Sequence, residues 1–237
     1  MLDNNVRFIV GMALIALAPI LLCVLSTFRK PEWIDDSPLK PFWNRINIIS
    51  TCLAIFFGFV VVALSGDYIS DYKYLSGLVT AVLSFALGQS LFTDFSHRLV
   101  DRWMIRASNL TLLIAGCLFL YKYVYPYQPA IFAMYFGIIL IATIILFLPG
   151  IGSSDGRAIQ LVFIGVFPLL GTLGITAGIL LFIVLVVLYT IIISIKEKSL
   201  KKGFGKRSFP MVPFIIAPFV ILLIFNGVFY NIYPIFV

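Results

Sequence analysis

The sequence predicts an all-α, polytopic membrane protein with about eight transmembrane helices. Two observations carry that expectation: the composition, and the spacing of the apolar runs. Of 237 residues, 62% are hydrophobic and only 11% charged, with a mean hydropathy of +1.10. Soluble domains carry about 25% charged residues, and no water-soluble core could enclose this much apolar surface. The length fits a single membrane domain, 1–237.

Apolar runs lie at about 8–28, 46–65, 74–93, 107–124 and 129–149. Each is close to the length that a helix needs to cross hydrocarbon. The first follows a weak n-region (Asp3, Arg7) and lacks a clear small-residue cleavage site, so it reads as a retained span. The run 158–195 is too long for one crossing: at 1.5 Å per residue it would reach roughly 57 Å, against about 30 Å of hydrocarbon. Pro168, Gly171 and Gly174 cluster near its middle and predict a tight hairpin there. That divides it into 158–172 and 174–195, and 211–235 completes the set.

Charge placement supports this count. With eight spans, every basic residue except Arg7, Lys73 and Lys122 falls on one side. The positive-inside rule puts that side in the cytoplasm and both termini outside. Such a belt faces anionic lipid headgroups. Nucleic-acid binding is a poorer account, because 196–207 is the one dense basic cluster and insertion topology already explains it. Inverted repeats of the kind found in many transporters are not evident.

Cys23, Cys52 and Cys117 are scattered through apolar runs without CxxC spacing, and the sole histidine, His97, reads as a solvated loop residue. The sequence therefore predicts no metal site, no disulfide framework and no cofactor. Trp33, Trp43 and Trp103 flank spans on the cytoplasmic side, and Tyr121, Tyr123, Tyr125 and Tyr127 crowd an outer loop. Both groups read as interfacial aromatic belts.

Two carboxylates stand at span boundaries on the same side. Asp94 closes the third run, and Asp155 lies in the glycine-rich turn predicted over 149–157, before the sixth. Charge beside hydrocarbon is costly. Two such groups close together do not both ionise, which leaves one to hold a proton while the other activates water. Gly150, Gly152 and Gly156 would admit close backbone approach to Asp155. On chemistry alone, two unrelated interfacial aspartates in cytoplasmic loops are the simpler account. Asp101, seven residues after Asp94, could share a helical face with it and is a rival.

The segment Asp94-Phe95-Ser96-His97-Arg98-Leu99-Val100 resembles the first motif of type IV prepilin peptidases and archaeal preflagellin peptidases, the GxGD-type membrane aspartic proteases. The segment 150–159, Gly-Ile-Gly-Ser-Ser-Asp-Gly-Arg-Ala-Ile, resembles their second, glycine-rich motif. The segment Pro210-Met211-Val212-Pro213-Phe214 resembles the proline-containing entry to their last conserved span. The resemblance covers about 94–225, so 1–93 reads as three N-terminal spans ahead of a peptidase-like core, 94–237. Ser154 stands where glycine is usual, Arg157 where lysine is usual, and Asp101 where bacterial members commonly have proline.

The resemblance implies an aspartic endopeptidase with Asp94 and Asp155 as its catalytic pair and no metal. Gly150, Gly152, Ser154, Gly156, Arg98, Arg157 and Pro213 would support them. The implied partner is a pilin-like or archaellin-like precursor, cut on the cytoplasmic side of a prokaryotic cell membrane. The longer bacterial enzymes' cysteine-paired region and methyltransferase activity have no counterpart in the sequence. The rival reading is a non-catalytic membrane protein, either a transporter or a degenerate pilus-assembly factor keeping the fold.

Overall fold

The helix that carries Asp94 stands at the centre of the bundle. It is α3 (Ser70–His97), and α1 (Asn4–Phe28), α2 (Trp43–Leu64), α4 (Arg102–Tyr123), α6 (Ser153–Lys196) and α7 (Met211–Phe229) all pack against it. Helix α5 (Pro129–Ile145) joins through α6, and two 3₁₀ turns, Glu32–Ile34 and Lys40–Phe42, link α1 to α2. The computed structural model describes residues 4–65, 70–97, 100–123, 125–147, 152–196 and 210–229, and all regular structure among them is helical.

Five helices are long and apolar enough to cross a bilayer: Asn4–Phe28, Lys40–Leu64, Tyr72–Asp94, Arg102–Tyr123 and Ser153–Ile192. Two shorter apolar helices, Pro129–Ile145 and Met211–Asn226, accompany them. The chain is a multi-pass membrane protein. Helices α1 and α5 and the second half of α6 expose rows of large apolar side chains, such as Leu21, Leu140 and Leu180, on surfaces suited to lipid.

Position explains why α3 is less apolar than α1. Protein surrounds it, so it carries buried Ser76, Thr80, Ser84, Gln89, Ser90 and Thr93. Two of its hydroxyls are satisfied within the helix: Thr80 donates to the Ser76 carbonyl at 2.8 Å and Thr93 to that of Gln89 at 3.1 Å. Close packing against α2 depends on missing side chains. A Cβ built on Gly77 would stand 2.9 Å from the Gly58 carbonyl oxygen and 2.7 Å from Val62 Cγ2. Without a hydrophobic drive inside lipid, such backbone approach is a main source of helix association.

The predicted hairpin is found at Gly171, where φ is 58° and ψ −157°. That region of backbone space is essentially reserved for glycine. Contacts on each side establish the reversal. Before the break, the Leu169 carbonyl accepts from the Tyr72 hydroxyl, which also accepts from Asn226 near the end of α7. After it, Gly178 abuts Phe219, and Tyr189 meets Phe214 at 4.9 Å between ring centroids. The second limb therefore runs back along α7 towards its start. Among the described residues, this brings the 3₁₀ turns, Asp94, Asp101, Ser154, Asp155 and Met211 to one end of the bundle, called the basic end below.

Three sequence expectations need correction. The stretch around Asp155 is helix rather than open turn, because α6 begins at Ser153 and Gly156 N–H already bonds the Gly152 carbonyl at 2.9 Å. His97 belongs to α3 rather than to a loop. Trp43 is no belt residue: it is 1% exposed, and its indole N–H donates to the Ser26 carbonyl at 3.1 Å.

Candidate functional site

Asp94 lies one turn before the end of α3 and is 6% exposed. Its Oδ2 accepts the backbone N–H of Val212, in the first turn of α7, at 3.2 Å. The N–H groups of a helix's first turn have no intrahelical partner, and the helix dipole there favours negative charge. Pro213, the next residue, is buried in that same turn, where its missing N–H costs nothing. The α7 N-terminus is thus shaped to meet the carboxylate of Asp94.

Asp155 occupies the first turn of α6 and is half-buried. A carboxylate suits this position as a partner of the helix dipole, whatever else it does. A Cβ on Gly152 would fall 2.7 Å from Asp155 Oδ2, so the missing side chain lets the carboxylate fold back over the start of the helix. Helix α4 braces this turn from the side: Asn109 donates to the Arg157 carbonyl and to Gln160 Oε1, each at 3.4 Å. Asp94 and Asp155 therefore lie at the same end of two helices that pack together. Ser154 is half-buried and Gly156 buried, while Arg98 and Gly150 lie outside the described residues.

Asp101 is engaged elsewhere. It does not continue α3 but precedes α4, where its Oδ1 accepts the N–H groups of Trp103 at 3.0 Å and Met104 at 3.2 Å. This is an N-cap. Its Oδ2 accepts from the Ser26 hydroxyl at 3.3 Å. The shared helical face with Asp94 expected from spacing does not exist. Burial pushes the Asp101 carboxyl above its ordinary range, against the opposing pull of the Met104 and Trp103 N–H groups, Ser26 and the nearby Arg29.

A polar clasp that sequence reasoning missed surrounds Asp101. Gln89 Nε2 donates to Ser26 Oγ at 2.8 Å and to Asn47 Oδ1 at 2.9 Å, linking α3 to α1 and α2. All three residues are buried. Their signal was polarity inside apolar runs, but nothing in the sequence says that three separate helices meet there.

Beside the clasp is a cavity of about 550 Å³, between the end of α1, the linker to α2 and the start of α4. Arg29, Lys30, Arg102 and Arg106 line it, with Asp101 and Ser154 also on its wall. Among the described residues, no three His, Cys, Asp or Glu side chains come together as a metal site. No protein-family model, curated protein or solved structure matches the chain.

Proposed function

We propose that this protein is a membrane aspartic endopeptidase that removes the leader of a type IV pilin-like or archaellin-like precursor at the cytoplasmic face. The observation that carries the reading is the placement of two motif aspartates, Asp94 and Asp155, at the same end of packed helices. Asp101 differs from them in its place, capping α4 and accepting from Ser26 in α1. In this reading the chain crosses the bilayer eight times, with the reversal at Gly171 supplying the additional crossing.

The chemistry needs one ionised and one protonated carboxyl. Asp94, which accepts the Val212 N–H, suits the ionised role. It would take a proton from water as the water oxygen attacks the scissile carbonyl carbon. Asp155 would give its proton to the carbonyl oxygen, forming a tetrahedral diol. Asp94 would then pass its proton to the amide nitrogen as the C–N bond breaks, and Asp155 would recover a proton from the diol. Substrate recognition falls to the precursor's apolar helix lying against protein spans, since a basic leader gains nothing from the basic end.

The test is co-expression with a candidate precursor, reading loss of the leader by mass. Processing by the wild-type chain that disappears with Asp155→Asn supports the assignment. Unchanged processing with that variant contradicts it.

A further inference from the structure

The cavity at the basic end has charge that the protein does not neutralise. Arg29, Lys30, Arg102 and Arg106 face it, against Glu32 and the buried Asp101. None of these four cations closes an ion pair among the described residues. Two of them crowd one indole: the Arg29 guanidinium lies 3.6 Å from the Trp103 ring centroid and that of Arg106 lies 5.1 Å away. Arg157, three residues after the cavity-lining Ser154 in α6, adds another guanidinium at this end of the bundle. Its Nη1 is buried without a hydrogen-bond partner. Like charges gathered around a cavity, with more cations than carboxylates on its wall, are the complement of a bound anion.

Depth indicates which anion. The cavity lies where α1 has just ended and α4 is about to begin, so both helices place it at the rim of their apolar lengths. Trp103 is 48% exposed there, as an interfacial tryptophan is. Guanidiniums present paired donors that match phosphate oxygens. We infer that this cavity is a binding site for the phosphate of an anionic phospholipid headgroup, with Arg29, Lys30, Arg102 and Arg106 as its ligands. Ser154 lines the same cavity next to Asp155, so an occupied site would also fix the start of α6. The inference does not depend on the peptidase reading.

The full-length protein is tested in nanodiscs containing equal amounts of phosphatidylglycerol and phosphatidylcholine, counting retained lipids by native mass spectrometry after release. Wild type should retain phosphatidylglycerol preferentially, and Arg102→Gln with Arg106→Gln should lower that preference roughly 30-fold, as expected for two lost headgroup contacts. Lys40→Gln with Arg45→Gln removes equal charge outside the cavity and should leave it unchanged. If the first pair does not fold, Lys30→Gln with Arg106→Gln tests the same walls. Equal losses in the cavity and control pairs would overturn the site in favour of a diffuse basic belt, as would no preference in wild type. Protection from thermal unfolding is measured in parallel. Inorganic phosphate protecting as well as phosphatidylglycerol at matched ionic strength would overturn the lipid headgroup as its source.

Discussion

The backbone N–H of Val212 donates to Asp94 Oδ2 at 3.2 Å, joining the first turn of α7 to the end of α3. The two residues are 118 positions apart in sequence, so the bond is part of how the core closes. Asparagine retains a carbonyl acceptor for that N–H and alanine does not. Asp94→Asn should therefore stay close to wild type in thermal unfolding of the purified protein, while Asp94→Ala should lose about 1–3 kcal/mol. Equal stability of the two variants would show that the bond contributes nothing.

Asp101 gives a pH prediction. Its folded pKa is raised by burial, so the folded state keeps this proton at pH values where the unfolded chain has lost it. The resulting stability is fully present below the unfolded pKa and is lost as pH rises through the folded one. Asp101→Asn keeps an oxygen for the Trp103 and Met104 N–H groups and cannot ionise. It should be at least as stable as wild type at neutral pH, with a flatter profile above the ordinary carboxylate range. Asp101→Ala should cost about 1 kcal/mol through the lost cap. A wild-type profile that rises over the same range would contradict the direction.

The reversal at Gly171 has a topological consequence. Thr172→Cys should be labelled from outside intact cells, and Ser199→Cys and Ser153→Cys only after access to the cytoplasmic side. Labelling of Ser199→Cys from outside would defeat the eight-crossing reading. Gly171→Ala, which forces a Cβ into φ 58°, should cost about 1–3 kcal/mol.

Legibility followed the range of the interaction involved. The break in α6 was readable because Pro168, Gly171 and Gly174 are local signals, and the structure breaks one or two residues from the expected point. The start of α6 was misjudged because glycine usually argues for open chain, yet Gly156 is buried in the helix and Asp155 in its first turn was the better signal. Trp43 reads as a belt residue from sequence because its partner, the Ser26 carbonyl, belongs to another helix. The capping role of Asp101 was available from its place before Arg102-Trp103-Met104, but its burial against Ser26 was not. The charge in the cavity is likewise assembled from the end of α1 and the start of α4.

Metal independence follows from the proposed mechanism. With one histidine and three scattered cysteines in the sequence, precursor cleavage should proceed at the same rate with a chelator present. Activity lost to the chelator and restored by zinc would replace the aspartic mechanism with a metal-assisted one.

The central claim is tested most directly by precursor processing in matched asparagine variants, with membrane insertion checked in each. Asp94→Asn and Asp155→Asn should each abolish leader removal. Their double variant should be scarcely worse than either, because members of one catalytic unit are not additive. Asp101→Asn should retain substantial activity. A normally processed precursor with Asp94→Asn, and an unprocessed one with Asp101→Asn, would move the catalytic role to Asp101 and contradict the account.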